Sequence, residues 1–360
     1  MRILDRYLIK GFFHSLFLSV VCLLGIYVIV EFFEKIDDVV KRGIASIIML
    51  KYLFYSLPKI FFQILPVAFL IAVLLILGLM SRNGELMAIK ASGISLYRVT
   101  SVLLATAFIF SAVTFVCQEV ILPGSNQATG YYKRIIDGKK PGKNLRQNRI
   151  WFWGSGNRVF NIQLMDAKRQ EARGVTFFKL DSQFHIVHRV DAKRAVYRHD
   201  KWYLYNGVER FFSGDNFKKV TFQEFEQKHF TIPEGFEDIF AMQKQPEEMT
   251  YQELSKYIER LQGAGYRADK YLVDLYTKIA MPFIIFIMTL IGVSFAVKID
   301  KSARLFNVGL GLLISFICWI ISTMGISLGH IGLFPPIVAA WLGNVIFLLL
   351  GAYLFVTIPT

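Results

Sequence analysis

Six apolar runs, each long enough to cross a bilayer, constrain this chain more than any other feature. They lie near residues 12–33, 44–80 (most clearly 61–80), 99–121, 277–297, 305–328 and 336–357. A membrane helix needs about 20 predominantly apolar residues. In hydrocarbon a chain can satisfy its own peptide groups only as a helix or a closed barrel. Six transmembrane helices are therefore predicted, three on each side of a long stretch that contains no spanning run. Composition agrees, with 54% hydrophobic residues among 360 and a mean hydropathy of +0.44. Pro58 and Pro66 fall in the second run and predict a kink or a restart there.

Charge sets the predicted orientation. Arg2, Arg6 and Lys10 precede the first span. The loop between the fourth and fifth spans carries Lys298, Asp300, Lys301 and Arg304, and the segment between the second and third is also net positive. The positive-inside rule then places both termini in the cytoplasm and the long middle stretch outside it. The net charge of +14 raises the possibility of nucleic-acid binding, but the basic residues are dispersed among spanning runs. Contact with anionic lipid explains charge and hydropathy together, and no nucleic-acid partner is expected. Cys22, Cys117 and Cys318 all sit inside apolar runs, without metal-ligand spacing. The first run is followed by FFEKIDD rather than a small-residue cleavage site, so a cleavable signal peptide is not predicted.

Between Pro123 and about residue 270 the pattern changes to short alternating stretches. RVFNIQL (158–164), VTFFKL (175–180), WYLYNGVERFF (202–212) and KKVTFQEFEQ (218–227) are examples. Period-2 alternation broken by Gly, Asn and Asp predicts antiparallel strands. Seven or so strands over this length predict a sandwich or jellyroll. The region is basic, with about 25 Lys/Arg against 17 Asp/Glu between Lys133 and Arg267. Thr250 and Glu253 form a T-x-x-E capping box ahead of a helix that leads back to the membrane. The predicted organisation is residues 1–122 with three spans, 123–270 with the extracytoplasmic β domain and return helix, and 271–360 with three more spans.

Ser81–Ser95, SRNGELMAIKASGIS, is too short and too charged to span, yet Leu86, Ile89 and Gly93 recur at helical spacing. A cytoplasmic helix near 82–95, held between two spans, offers a handle to a partner protein.

Signals for chemistry are weak. GKKPGKN (138–144) lacks the spacing and the Ser/Thr of a phosphate loop, so the chain is not an ATPase by itself. His185 and His188 would point to opposite faces of a strand and cannot easily share a metal ion. Glu31, Glu34 and Asp38 recur at i, i+3 and i+7 and give the exit of the first span an acidic face, either a solvated helix end or a cavity wall. Asp274 and Lys278 form an i, i+4 pair at the entrance to the fourth span, either self-satisfied or lining a lipid path. Lys133 and Arg134 could meet an anionic headgroup at the same level.

Several segments carry a resemblance that covers almost the whole chain. They are LDRY (4–7), FFEKID (32–37), GELMAIKASGIS (84–95), EVILP (119–123), the MTYQELSKYIERLQGAGYRADKY stretch, KIAMP (278–282) and GLFPP (332–336). With the layout of three spans, β domain and three spans, the chain resembles the LptF/LptG family of lipopolysaccharide export permeases. LDRY, FFEKID and GLFPP are nearer its LptG branch.

The resemblance implies a transport subunit rather than an enzyme. It implies pairing with the sister permease LptF on a dimer of the ATPase LptB, with ATP and Mg held there and no cofactor held by this chain. It implies an LptC membrane helix beside span one, a periplasmic bridge that receives lipopolysaccharide from β-jellyroll domains, and a location in the bacterial inner membrane. The segment at 82–95 would be the coupling helix, with Glu85 meeting a basic site on the ATPase and Leu86, Met87, Ile89 and Ala91 filling its groove; Lys90 and Gly93 belong to the same docking segment. Spans one and two, with span five of the sister permease, would form a lateral gate. Such permeases are expected to place basic residues at the outer end of span one, whereas here Glu31, Glu34, Asp37 and Asp38 dominate and only Lys35, Lys41 and Arg42 are basic. The headgroup site would then use those three with Lys133 and Arg134, or cations would bridge acid to phosphate. A sensor or assembly scaffold with a ligand-binding β domain is the alternative function.

Overall fold

The computed structural model describes residues 3–138, 150–154, 157–166, 170–181, 183–198, 201–213, 219–230, 244–263, 267–298 and 304–358. Most of GKKPGKN, with Asp300 and Lys301, lies outside the described residues. The chain divides into two compact units. The helical unit contains α1 (Ile3–Lys41), α2 (Ser46–Arg82), α3 (Glu85–Ala91), α4 (Leu96–Ile136), a short 3-10 turn (Pro246–Glu248) and the first residues of α5 (Tyr251–Gly263). It is completed by α6 (Asp269–Lys298), α7 (Arg304–His330) and α8 (Pro336–Val356).

Six of these helices are long and apolar enough to cross a membrane. Two of them, α1 and α4, exceed the predicted spans by several turns, whereas α2 fills the predicted 44–80. α1, α2 and α4 have 39, 37 and 41 residues, so each is about 55–60 Å long against a hydrocarbon core of about 30 Å. Hydropathy marks only the part of a helix that lies in hydrocarbon, which is why the sequence stops α1 and α4 early. α2 and α6 form the centre, with 67% of their apolar windows buried, whereas α1 has 11% and α7 22%. Phe69, Val73 and Leu77 of α2 pack with Ile291 and Val293 of α6 and Leu103 of α4 in one core.

α2 runs unbroken through Pro58 and Pro66, and α4 through Pro123. The unit boundary therefore falls at Asp137/Gly138 rather than at the predicted 122/123. Beyond Pro123, α4 is held to α2 by Ser125 Oγ, which donates to the Tyr55 carbonyl. Tyr132 adds to this by stacking on Tyr55, with ring centroids 5.6 Å apart.

The second unit holds one antiparallel sheet of six described strands in the order β1-β2-β3-β4-β5-β6. They are β1 (Ile150–Gly154), β2 (Arg158–Asp166), β3 (Glu171–Leu180), β4 (Ile186–Arg198), β5 (Lys201–Ser213) and β6 (Lys219–Phe230). An inserted antiparallel β domain is thus present. Its described strands follow one another as a meander. Short hairpins enforce this order: Gly154 pairs with Arg158, Asp166 with Glu171 and Arg198 with Lys201.

The sheet is curled. Phe177 on β3 and Phe230 on β6 have ring centroids 4.6 Å apart, although β4 and β5 lie between them in the sheet. In a flat sheet three strand spacings would separate them by about 14 Å. The curl encloses Phe160, Val175, Phe177, Val190, Trp202 and Leu204.

Gly207 on β5 sits where the backbone approaches most closely. A Cβ there would overlap both the Asp191 carbonyl oxygen and the Phe225 ring. Gly207→Ala should destabilise the β domain by about 1–3 kcal/mol, the usual cost of overpacking. Thermal unfolding of the full-length protein in detergent should show a lowered sheet transition with an unchanged helical one.

Candidate functional site

α3 has only seven residues and could not hold a helix in water by propensity alone. Glycines bound it: Gly84 at φ +77 before it and Gly93 at φ +78 after it. That left-handed region is accessible to glycine without steric cost. Beyond the C-cap residue Ser92, the Gly93 N–H donates to the Lys90 carbonyl (3.0 Å) and the Ile94 N–H to the Ile89 carbonyl (3.3 Å). This pair of bonds defines a Schellman ending. Gly93 therefore terminates the helix and does not continue its face, and the helix is shorter than the predicted 82–95.

The mount of α3 comes from three other elements. Leu86 is buried in the core that contains Met80 and Leu96, and Ile89 packs against it. Leu86 is thus turned into the chain's own core, with Ile89 partly buried against it. The outward face is Met87 (61% exposed), with Ala88, Lys90 and Ala91 also exposed. Glu85 is held on both oxygens: Tyr7 Oη of α1 donates to Oε2 at 3.0 Å and Asn83 Nδ2 to Oε1 at 3.0 Å. Beside it, buried Asp5 of α1 pairs with Arg98 of α4 at 3.0 Å. Tyr97 Oη donates to the Val356 carbonyl at 3.2 Å, and its ring meets that of Phe355. LDRY thus supplies two of the residues that fix this end of the bundle, Asp5 and Tyr7. Their polar partners are more than 75 positions away in the chain, and no local spacing signals such a pairing.

The residues expected at a lipid-headgroup rim separate into two groups. At the shared end of α1 and α4, Arg42 donates to the Ile136 carbonyl at 3.0 Å, and Lys133 and Arg134 are exposed on the last turn of α4. The acids there are paired within the chain. Glu31 accepts from Tyr52, Glu34 lies 3.5 Å from Lys35, Asp37 3.7 Å from Lys41 and Asp38 3.9 Å from Arg42. Among the described residues no group of three or more His, Cys, Asp or Glu is placed to hold a metal ion.

Asp274 and Lys278 do not pair with each other, contrary to the i, i+4 expectation. Asp274 meets His330 of α7 at 2.8 Å, and Lys278 meets Glu119 of α4 at 3.5 Å. Glu119 precedes Ile136 by 17 positions on α4, about 25 Å along the helix. The two groups therefore do not form one rim.

The β domain carries a polar site that no spacing in the sequence indicates. Glu209 is 3% exposed beside the apolar concave face. His188 Nε2 lies 2.7 Å from it and Lys228 pairs with its other oxygen. His188 stacks flat on Phe211 at 4.4 Å. His185 is not on the strand; it sits in the β3–β4 turn against Asp181 at 3.3 Å. Burial pushes the Glu209 carboxyl up, but the hydrogen bonds and charges of Lys228 and His188 outweigh it and hold the group below its ordinary value. Asp191 behaves likewise: burial raises it, and Arg189, Thr176 and Arg210 bring it below the usual range.

The model of the family described as lipopolysaccharide export system permease LptF/LptG matches residues 6–357. The chain belongs to this family. The lipopolysaccharide export system permease protein LptG of Escherichia coli K12 is 23% identical over 358 residues, covering 98% of this chain and 97% of the relative. LptG of Haemophilus influenzae KW20 is 21% identical over 355 residues, covering 96% of each. The chain is thus close to LptG within the family and is a multi-pass inner-membrane permease.

Because Glu209 and Asp191 have depressed folded values, their contribution to stability is complete above the ordinary carboxylate range, about pH 4–4.5. It is lost as pH falls through the lower folded values. The sheet of the full-length protein should unfold at lower temperature at pH 3 than at pH 6. Glu209→Gln should weaken that acid dependence; an identical slope in the variant would show that Glu209 is not one of the responsible groups.

Proposed function

We propose that this chain is the permease subunit of an ATP-driven transporter that extracts lipopolysaccharide from the inner membrane and hands it to a periplasmic bridge. Membership of the export-permease family over residues 6–357 carries this proposal. The geometry of α3 supports a mode of driving. A short helix that is locked from within by Leu86 and Ile89, and exposes Met87, Lys90 and Ala91, suits docking to a separate motor. The motor is a dimer of the ATPase LptB, which would hold ATP and Mg. The sister permease LptF and the LptC helix complete the membrane assembly.

In this mechanism both termini and α3 face the cytoplasm and the β domain faces the periplasm. Movement of the ATPase displaces α3. The shared cavity between the two permeases narrows, and the lipid loses affinity for it. Transport requires this difference in binding between cavity states; uniform affinity would move nothing. α1 is mostly exposed along its apolar window, as befits a gate element that meets partner helices and lipid. Lys41, Lys133 and Arg134 are the candidates for phosphate contact. The glutamates of span one are less suited, since Glu31 and Glu34 are already engaged within the chain.

The test is co-purification from membranes followed by reconstitution, with the ATPase, the sister permease and bound lipopolysaccharide expected together. Met87→Asp and Glu85→Arg should each cut ATP-driven lipid release about tenfold, equivalent to about 1.4 kcal/mol of lost coupling or docking. Release at the native rate in both variants would remove α3 from the driving path.

A further inference from the structure

The segment Glu247–Tyr251, by which the chain re-enters the helical unit, is gripped to an extent unusual for a connection. Asn126 Nδ2 donates to the Glu247 carbonyl at 2.7 Å, Gln127 Nε2 to the Glu248 carbonyl at 3.3 Å and Lys278 Nζ to the Met249 carbonyl at 2.8 Å. Three successive carbonyls thus each receive a side-chain donor. Lys59 of α2 pairs with the Glu247 carboxylate, and the Tyr251 N–H donates to Glu119. The Met249 side chain is fully buried. The capping box completes the set, with the Thr250 N–H donating to Glu253 (3.0 Å) and the Glu253 N–H to Thr250 Oγ1 (3.2 Å).

Glu119 and Lys278 are the centre of this grip. The Glu119 carboxylate divides its oxygens, Oε1 toward Lys278 at 3.5 Å and Oε2 toward the Tyr251 N–H. Both side chains are about one-fifth exposed. In such surroundings a charge-assisted hydrogen bond is stronger than a neutral one, and an acceptor left unpaired is costly. EVILP, MTYQEL and KIAMP, far apart in sequence, meet here.

We propose that Glu119 and Lys278 are positioning residues that fasten this strap to α4 and α6, so that strap, α4 and α6 move as one body while the transporter works. The proposal rests on the transport function given above. Only residues 92–95 separate α3 from α4. α4 is one continuous helix, and Glu119 lies about 35 Å along it from Leu96. A displacement received at α3 is carried along α4 to the strap without an intervening hinge. The ammonium of Lys278, expected to meet a lipid headgroup, is committed to a carbonyl and a carboxylate.

The experiment uses the reconstituted complex with Cys22, Cys117 and Cys318 replaced. Asn126→Cys and Glu247→Cys are joined by a short bismaleimide. ATP hydrolysis and lipid release are expected at the rates of the unlinked complex, because the joined parts do not separate in the cycle; a block of release on cross-linking would overturn the proposal. Lys278→Met and Glu119→Gln should lower the lipid released per ATP several-fold while hydrolysis persists. An unaltered ratio in properly inserted protein would also overturn it. Spin-label distances between positions 126 and 247 should stay fixed across nucleotide states. That distance decides the one-body claim even if Met87→Asp shows that α3 is not the driving contact, so failure of the strap and failure of the coupling function are separable.

Discussion

Hydrocarbon offers no hydrogen-bond partner to a peptide group, and the helical unit is built around that constraint. Its helices are long, and each leaves few backbone groups to be satisfied elsewhere. The helix-interior prolines test the constraint, since each removes one ladder bond and crowds the preceding turn. Near Pro58 the Tyr55 carbonyl accepts from Ser125, and the Pro282 carbonyl accepts from Ser111 at 2.8 Å. Asn344 donates to the Ala280 carbonyl at 2.6 Å. Each donor lies on a helix other than that of the carbonyl it meets, Ser111 and Ser125 on α4 and Asn344 on α8. These side-chain donors near the prolines are ties between helices, and they fix α4 and α8 against the central pair α2 and α6.

The same logic makes α3 rigid without making it intrinsically stable. Seven residues cannot repay helix nucleation in isolation. The order of α3 is borrowed from the core through Leu86 and Ile89 and from Tyr7 and Asn83 through Glu85. A segment held in this way is fixed to α1, α2 and α4 by side-chain contacts rather than by its own helix propensity. Had its apolar residues all faced outward, it would have been a loose adhesive patch.

The number, order and type of the spans were legible in the sequence because hydropathy over twenty residues is a strong signal. The capping box at Thr250 and Glu253 was legible because its chemistry is local. Helix ends were not: α4 runs on for a dozen residues past Pro123 because Tyr132 and Ser125 find partners on α2, which no window of α4 reveals. Pairing of charges failed for a related reason. Asp274 and Lys278 stand one turn apart, and spacing alone favours their union. The structure gives each a partner on another helix. The strand meander was legible as alternation, but its curl depends on Phe177 meeting Phe230 across two intervening strands. Glu209, His188 and Lys228 come from three strands and share no motif.

The basic composition of the β domain invites a direct link to an anionic ligand, and the structure weakens it. Glu171 is met by Arg173 at 3.1 Å and Arg194 at 3.0 Å, Asp191 by Arg189 and Arg210, and Glu209 by His188 and Lys228. Three carboxylates engage six nitrogenous side chains. A carboxylate taken out of water presents about four lone-pair sites, and a single cation rarely satisfies them. Five Lys and Arg side chains are thus engaged in keeping three acids charged beside an apolar, curled sheet. Arg189 also lies over the Phe178 ring at 5.3 Å and Arg194 over Tyr205 at 5.8 Å, which occupies two of these guanidinium groups further. The charge available to a lipid phosphate is consequently smaller than the residue count suggests. Net charge is a poor guide to where headgroups dock, and exposed Lys133 and Arg134 at the end of α4 are better candidates than the arginines of the sheet.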